Sequence, residues 1–230
     1  MNFSIKDTLK EIEILKETVY VELSETAQQG TQEWHEARLG RFTASRFGDL
    51  MKQGRGKNDR IGAMCETYIY EKMAEILIRL PHNIESRATE WGLDHEEEAI
   101  EAYEKETGNL VNKCGFIEYG EYAGGSPDGL IDKDGSIEVK CPFNPANHIR
   151  VLATRELPQN HFLQVQGVLM VTGRKWCDYV SYDPRITNSP ELQLAIVRVV
   201  RNEEVIQSIS DRIVEVRERL DEILTNLTEN

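Results

Sequence analysis

Along this chain apolar residues recur at helical spacing in some stretches and alternate with polar ones in others, and the two rhythms divide it into elements. Ile5, Leu9, Ile12 and Leu15 predict an amphipathic helix over 4–17, with Ser4 as its cap. Val19, Tyr20 and Val21 read as a short extended piece. Thr31 is placed to cap a helix carrying Trp34 and Arg38, with Glu33 near its positive end and Gly40 breaking it. Thr43, Ala44 and Ser45 begin a second short helix ending near Met51, and 53–58 is a basic, glycine-containing loop. Long helices follow over 59–80, stopped by Pro81, and over 85–107. Strands are expected at about 109–118, 122–131, 136–141, 176–183 and 193–200. Between the third and fourth lie a loop, 143–157, and a helix, 158–173. That helix is apolar nearly all round and therefore buried, so Gln164 and Gln166 within it need hydrogen-bond partners. A last helix, 203–227, carries Val205, Ile209, Ile213, Val216, Leu220, Ile223 and Leu227 as one stripe.

The phase of the 85–107 helix singles out one acid. Glu96 stands at helical spacing from Gly92, Ala99, Ile100 and Tyr103, the inward face, whereas Glu97, Glu101 and Glu104 point outward. An inward glutamate needs a partner, a salt bridge being the ordinary one.

Length and charge bound the rest. A chain of 230 residues can bury one substantial core, and one domain is expected: helices over about 1–107, a sheet core over 108–200, then the closing helix. No apolar run approaches a membrane span, and the first residues lack a signal-peptide pattern. Cys65, Cys114, Cys141 and Cys177 are scattered, without zinc spacing, and read as buried thiols of a cytosolic protein. A net charge of −13 argues against a general nucleic-acid binder, yet residues 38–60 hold seven Lys or Arg against Asp49 and Asp59. An acidic protein holds DNA if its basic residues line one channel.

The candidate chemistry lies in 124–140, a strand, a turn and a second strand. Side chains alternate, so Glu138 and Lys140 share one face while Ile137 and Val139 take the other. A three-residue loop, 133–135 with Gly135 last, sets Asp128 opposite Lys140 and on the face of Glu138; a two-residue loop would put Asp128 on the wrong face. Two carboxylates and an ammonium then converge. Close carboxylates repel unless a cation lies between them, and oxygen ligands suit Mg²⁺ or Mn²⁺.

Pro127-Asp128 followed by Glu138-Val139-Lys140 resembles the PD-(D/E)xK nuclease motif. More narrowly, the chain resembles the phage lambda exonuclease family, the YqaJ-type viral recombinases. The matching stretches are 34–45, Trp91 to Glu96, Cys141 to Phe143, Gln164 to Gln166 and Val171-Thr172. The resemblance implies an α/β fold, a mixed sheet flanked by helices. It implies a metal-dependent 5′→3′ exonuclease acting on linear double-stranded DNA in phage-type recombination, releasing mononucleotides and leaving 3′ single strand. Asp128, Glu138 and Glu96 would hold two Mg²⁺ ions with the Val139 carbonyl, Mn²⁺ being able to substitute. Lys140 would orient or deprotonate the water or steady the developing charge. Arg38, Ser45, Ser126 and Gln164 would grip the 5′-terminal phosphate. The family further implies a homotrimeric ring, a single-strand annealing protein as partner, and the cytoplasm of a bacterial host. A PD-(D/E)xK endonuclease and an inactive DNA-end binder share parts of the pattern; the intact Asp128, Glu138 and Lys140 set argues against the second.

Overall fold

The computed structural model describes residues 27–56, 60–81 and 87–229. The helix expected over 4–17 and the extended piece 19–21 lie outside them. Helix α1 (Gln32–Arg38) starts where the Thr31 hydroxyl accepts the Trp34 N–H. Strand β1 (Phe42–Thr43) follows, then a 3₁₀ turn (Ala44–Arg46) and the short α2 (Phe47–Leu50). Helix α3 (Ala63–Ile78) begins later than expected, because the Gly62 N–H is tied back to the Lys52 carbonyl at 3.0 Å. Helix α4 is Arg87–Thr107.

The stretches 109–118 and 122–131, each expected as one strand, split into two. The first gives β2 (Val111–Asn112) and β3 (Ile117–Tyr119), the second β4 (Ala123–Gly125) and β5 (Gly129–Ile131). The later strands are β6 (Gly135–Lys140), β7 (Trp176–Tyr182) and β8 (Leu194–Val200). A three-stranded sheet runs β1-β4-β3 and a five-stranded sheet β2-β5-β6-β7-β8. Pro127 has no N–H to continue a ladder, so the chain leaves one sheet at Gly125 and enters the other at Gly129.

The 143–157 segment is not a loop throughout. Helix α5 (Pro145–Thr154) starts with the Asn144 side chain accepting the Ala146 N–H and with proline in its first turn. Both signals stand in the sequence. Helix α6 (Gln159–Thr172) returns the chain to β7, which runs parallel to β6. Helix α7 (Glu203–Thr228) closes the described chain.

Helix α4 covers one face of the larger sheet, packing Ala99, Ile100 and Tyr103 on Ile131, Ile137, Val139 and Val180. Helix α6 covers the other, and α7 packs on α6, α2 and α3 behind it; Val165, Leu169, Ile209 and Val216 belong to one core with Leu130, Cys177 and Tyr179. The architecture is α/β, mixed sheets flanked by helices. Of the expected α7 stripe, Leu227 escapes burial. Buried Gln166 finds its partners: its amide donates to the Val200 carbonyl at 3.0 Å and accepts the Asn202 N–H at 2.9 Å.

The hairpin register differs from the expected one by two residues. Gly129 pairs with Ile137, Leu130 with Ser136 and Ile131 with Gly135, so the loop is 132–134. Continued one step, this register sets Asp128 opposite Glu138, not Lys140. A shift of two keeps every side chain on its face, so the shared face survives. Asp132, at φ 46°, takes the left-handed position. Gly135 is needed for another reason: a Cβ there would come within 2.3 Å of the Trp176 ring.

Candidate active site

Strand β5 starts and β6 ends beside the middle of α4, and an open cavity of about 460 Å³ lies there. Glu96, Asp128, Val139 and Lys140 line it together. Asp128 precedes β5 and accepts the Val139 N–H at 2.6 Å, which fixes its carboxylate across the hairpin. Glu138 is 1% exposed. One of its oxygens accepts from the Lys140 ammonium and from the Gln164 amide. The other, Oε2, is buried and has no hydrogen-bond partner among the described residues. Glu96 comes from the opposite layer, on the helix that covers Val139.

The electrostatics are those of crowded acids. Burial first, then Glu138 and Glu96, hold the Asp128 carboxyl well above the usual carboxylate range. Burial also raises Glu96, with Lys113 and Lys140 opposing and Glu138 adding. Burial works against the Lys140 ammonium, but Glu138 and Asp128 outweigh it and raise its pKa. Among the described residues no group of three or more His, Cys, Asp or Glu is assembled to hold a metal ion unaided. The residues fit a hard cation all the same. Mg²⁺ needs only one or two carboxylates and keeps waters. A cation would also satisfy the orphaned Glu138 oxygen and relieve the repulsion that raises Asp128.

The four residues expected around a phosphate are not all together. Arg38 and Ser45 line a second, smaller cavity of about 110 Å³ with Trp34, His35, Thr43, Arg46, Lys72 and Glu75. Ser126 is linked to it through Trp34, whose indole N–H donates to the Ser126 hydroxyl at 2.8 Å. Gln164 instead stands at the carboxylates, on Glu138. The side chains around Arg38 are largely paired: Arg46 with Asp49 and Glu71, Lys72 with Glu75, and Glu75 with the Gly40 N–H. Arg38 lies over the Trp34 ring at 4.1 Å and has no carboxylate partner among the described residues. Burial lowers its pKa, partly offset by Tyr68 and Glu75.

Sequence reading missed Lys72 and Arg46 at this cavity, and Asn147, Arg150, Asn160, His161 and Tyr179 at the larger one. Asn147 and Arg150 sit on α5, so recognising the Asn144-Pro145 start would have brought them into view. For Tyr179 and Lys72 no local signal exists.

A profile of the YqaJ-like viral recombinase domain matches residues 33–175. No curated protein matches the chain. Among solved structures, an alkaline exonuclease from Laribacter hongkongensis superimposes with a TM-score of 0.77 at 32% identity, covering 86% of this chain and 97% of that one. Its complex with dAMP matches equally well. A phage-related exonuclease from Haemophilus somnus 129PT shares the fold, with a TM-score of 0.68 at 16% identity over 81% of this chain and 96% of that one.

Proposed function

The chain belongs to the YqaJ-like viral recombinase domain family, and from that premise we propose that it is a metal-dependent exonuclease that digests linear duplex DNA 5′→3′ in phage-type recombination. The observation that carries the reading is the cavity itself. Asp128 at the strand pair, Glu96 from α4 and Lys140 face one open space, and Glu138, buried beside them, has one carboxylate oxygen without a hydrogen-bond partner among the described residues. The alkaline exonuclease at 32% identity supports the same chemistry.

Asp128 and Glu138 would hold the cation, with Glu96 from α4 and the Val139 carbonyl, and the natural metal would be Mg²⁺. When bound, one or two such ions would lower the pKa of a water and neutralise the phosphate and the leaving oxygen. The backbone N–H of Val139 fixes Asp128, and Gln164 fixes Glu138. Lys140, kept charged by Glu138 and Asp128, steadies the attacking water or the charge growing on the phosphate. Arg38, with Ser45 beside it and Ser126 behind Trp34, takes the 5′-terminal phosphate. Ser126 is two residues from Asp128, so that anchor adjoins the carboxylates. Each cut exposes a new 5′-phosphate for the same pocket.

We also read the chain as one nuclease domain that assembles as a homotrimeric ring, placing three copies of the basic 38–60 segment around one opening. It would work with a single-strand annealing protein in the cytoplasm of a bacterial host. Among the described residues no helix is long and apolar enough to cross a membrane.

The test uses linear duplexes with and without a 5′-phosphate, labelled at each end, incubated with protein and Mg²⁺. The 5′ label should appear as mononucleotide, faster from phosphorylated ends, while the complementary strand persists. Loss from the 3′ end first, or cutting of circular DNA, would overturn the reading. Light scattering should give a trimer at micromolar concentration.

A further inference from the structure

The larger cavity has a wall that the carboxylates leave unused. Phe143 and Leu93 line it, and they are 53% and 66% exposed. Large apolar side chains held open inside a polar cleft mark a surface that something covers.

Phe143 is held from behind. Arg185 donates to the Pro142 and Phe143 carbonyls at 3.0 Å each. Its Nε and Nη2 grip the two Asp183 oxygens at 2.7 Å each. The same guanidinium lies 4.6 Å from the Trp91 ring, and Trp91 meets Phe143 edge to face at 6.2 Å. The turn that follows Lys140 is thus tied to the end of β7 and to α4. Asp183 is buried, and the Arg185 hydrogen bonds bring its pKa below the usual value although burial opposes them, so this clamp stays charged.

Beside Lys140 and Arg150, which suit a phosphate, the cavity also offers groups that suit a base. His161 is tilted against Tyr179 at 5.4 Å. Burial and the Lys140 charge push it down to about 4, so it presents a neutral ring. Asn147 and Asn160 add amides. A cavity of about 460 Å³ falls within the usual range for small-ligand sites.

We propose that Phe143 and Leu93 form a stacking platform for an unpaired nucleobase next to the scissile phosphate, with Arg185 as the positioning residue that holds Phe143 in place. The proposal rests on the nuclease reading of the carboxylate site. An aromatic ring takes any base, because every base has a π face, so the platform serves an enzyme that reads no sequence.

The experiment walks one abasic residue through the first three nucleotides of a 5′-phosphorylated strand in a duplex. At one position the wild type should slow about tenfold, the usual worth of one base–aromatic stack. Phe143→Ala should slow by a similar factor on the ordinary strand and lose nothing more on the abasic one. Phe143→Tyr should restore both the rate and the sensitivity to the missing base. Arg185→Ala should resemble Phe143→Ala, with fluorescence of 2-aminopurine at that position reporting the stack without turnover in Ca²⁺. Quenching on binding by wild type and its absence in Phe143→Ala would support the platform. Equal wild-type rates at all three abasic positions would overturn it, as would losses that add. A wild type that leaves every DNA intact would instead remove the nuclease reading beneath the proposal.

Discussion

In the cleft at the end of β6 carboxylates crowd together; in the small cavity at the end of α1 cations do. Both regions spend most of their charge on themselves. Lys140 and Gln164 occupy one Glu138 oxygen, and the Val139 N–H occupies Asp128. In the basic cavity Arg46 is taken by Asp49 and Glu71, and Lys72 by Glu75. Among the described residues Glu138 Oε2 in the first region has no hydrogen-bond partner, and the Arg38 guanidinium in the second has no carboxylate partner. Paired groups fix shape, and on the proposed reading the groups left over take the ligand. The signs are opposite, so on the proposed reading the ligands are too, a divalent cation at the first and a phosphate at the second.

The largest effect should come from deleting a carboxylate. Asp128→Ala or Glu138→Ala should lower nuclease activity on the order of a thousandfold or more, on every kind of end. Activity that survives either change, or survives EDTA, would break the assignment of the acidic cleft.

Arg38→Ala should act differently in kind. The loss of a charge-assisted contact of about 2 kcal/mol corresponds to roughly thirtyfold in productive binding, confined to 5′-phosphorylated ends. Arg38→Lys should not restore the preference, since an ammonium lacks the guanidinium fork. If 5′-phosphate and 5′-hydroxyl ends already react alike in the wild type, the basic cavity has another use.

Gln164 sharpens the boundary between the two regions. The resemblance groups it with the phosphate pocket, whereas its side chain lies on Glu138. Gln164→Ala should therefore raise the Mg²⁺ concentration needed for half-maximal activity by about tenfold, as changes behind a metal ligand do. A mutant that instead loses discrimination between 5′ ends would return Gln164 to the phosphate side.

The smallest effect is one of stability. The folded-state pKa of Asp128 is raised, so the folded protein binds that proton more tightly than the unfolded chain. In EDTA stability should then fall as pH rises from the ordinary aspartate value through the raised one. Asp128→Asn keeps an acceptor for the Val139 N–H and removes the repulsion. It should raise the melting temperature in EDTA by roughly 2–4 °C for each kcal/mol relieved, while abolishing activity. Saturating Mg²⁺ should reverse the order. A melting temperature lower than that of wild type in EDTA would mean the acids are not in conflict.

The chain itself determined the α/β class, most helix boundaries and the common face of Asp128, Glu138 and Lys140. These depend on local rules: a side-chain period of two, helical phase, a Thr31 cap and a proline that ends pairing. The shared face survived the wrong register because a slip of two residues preserves parity. Tertiary structure decided what local rules do not reach. The strands split because 109–118 and 122–131 each supply two sheets, and no period reveals which neighbour a strand will find. Gly135 looked like a turn residue and serves the Trp176 ring, 41 positions away in sequence. Gln164 joined the carboxylates because α6 packs across the face of β6 that carries Glu138. Phe143 became a wall of the cleft because Arg185, beyond the end of β7, holds its backbone. Such contacts link residues distant in sequence, and their energies depend on packing and burial, which exist only once the chain has folded.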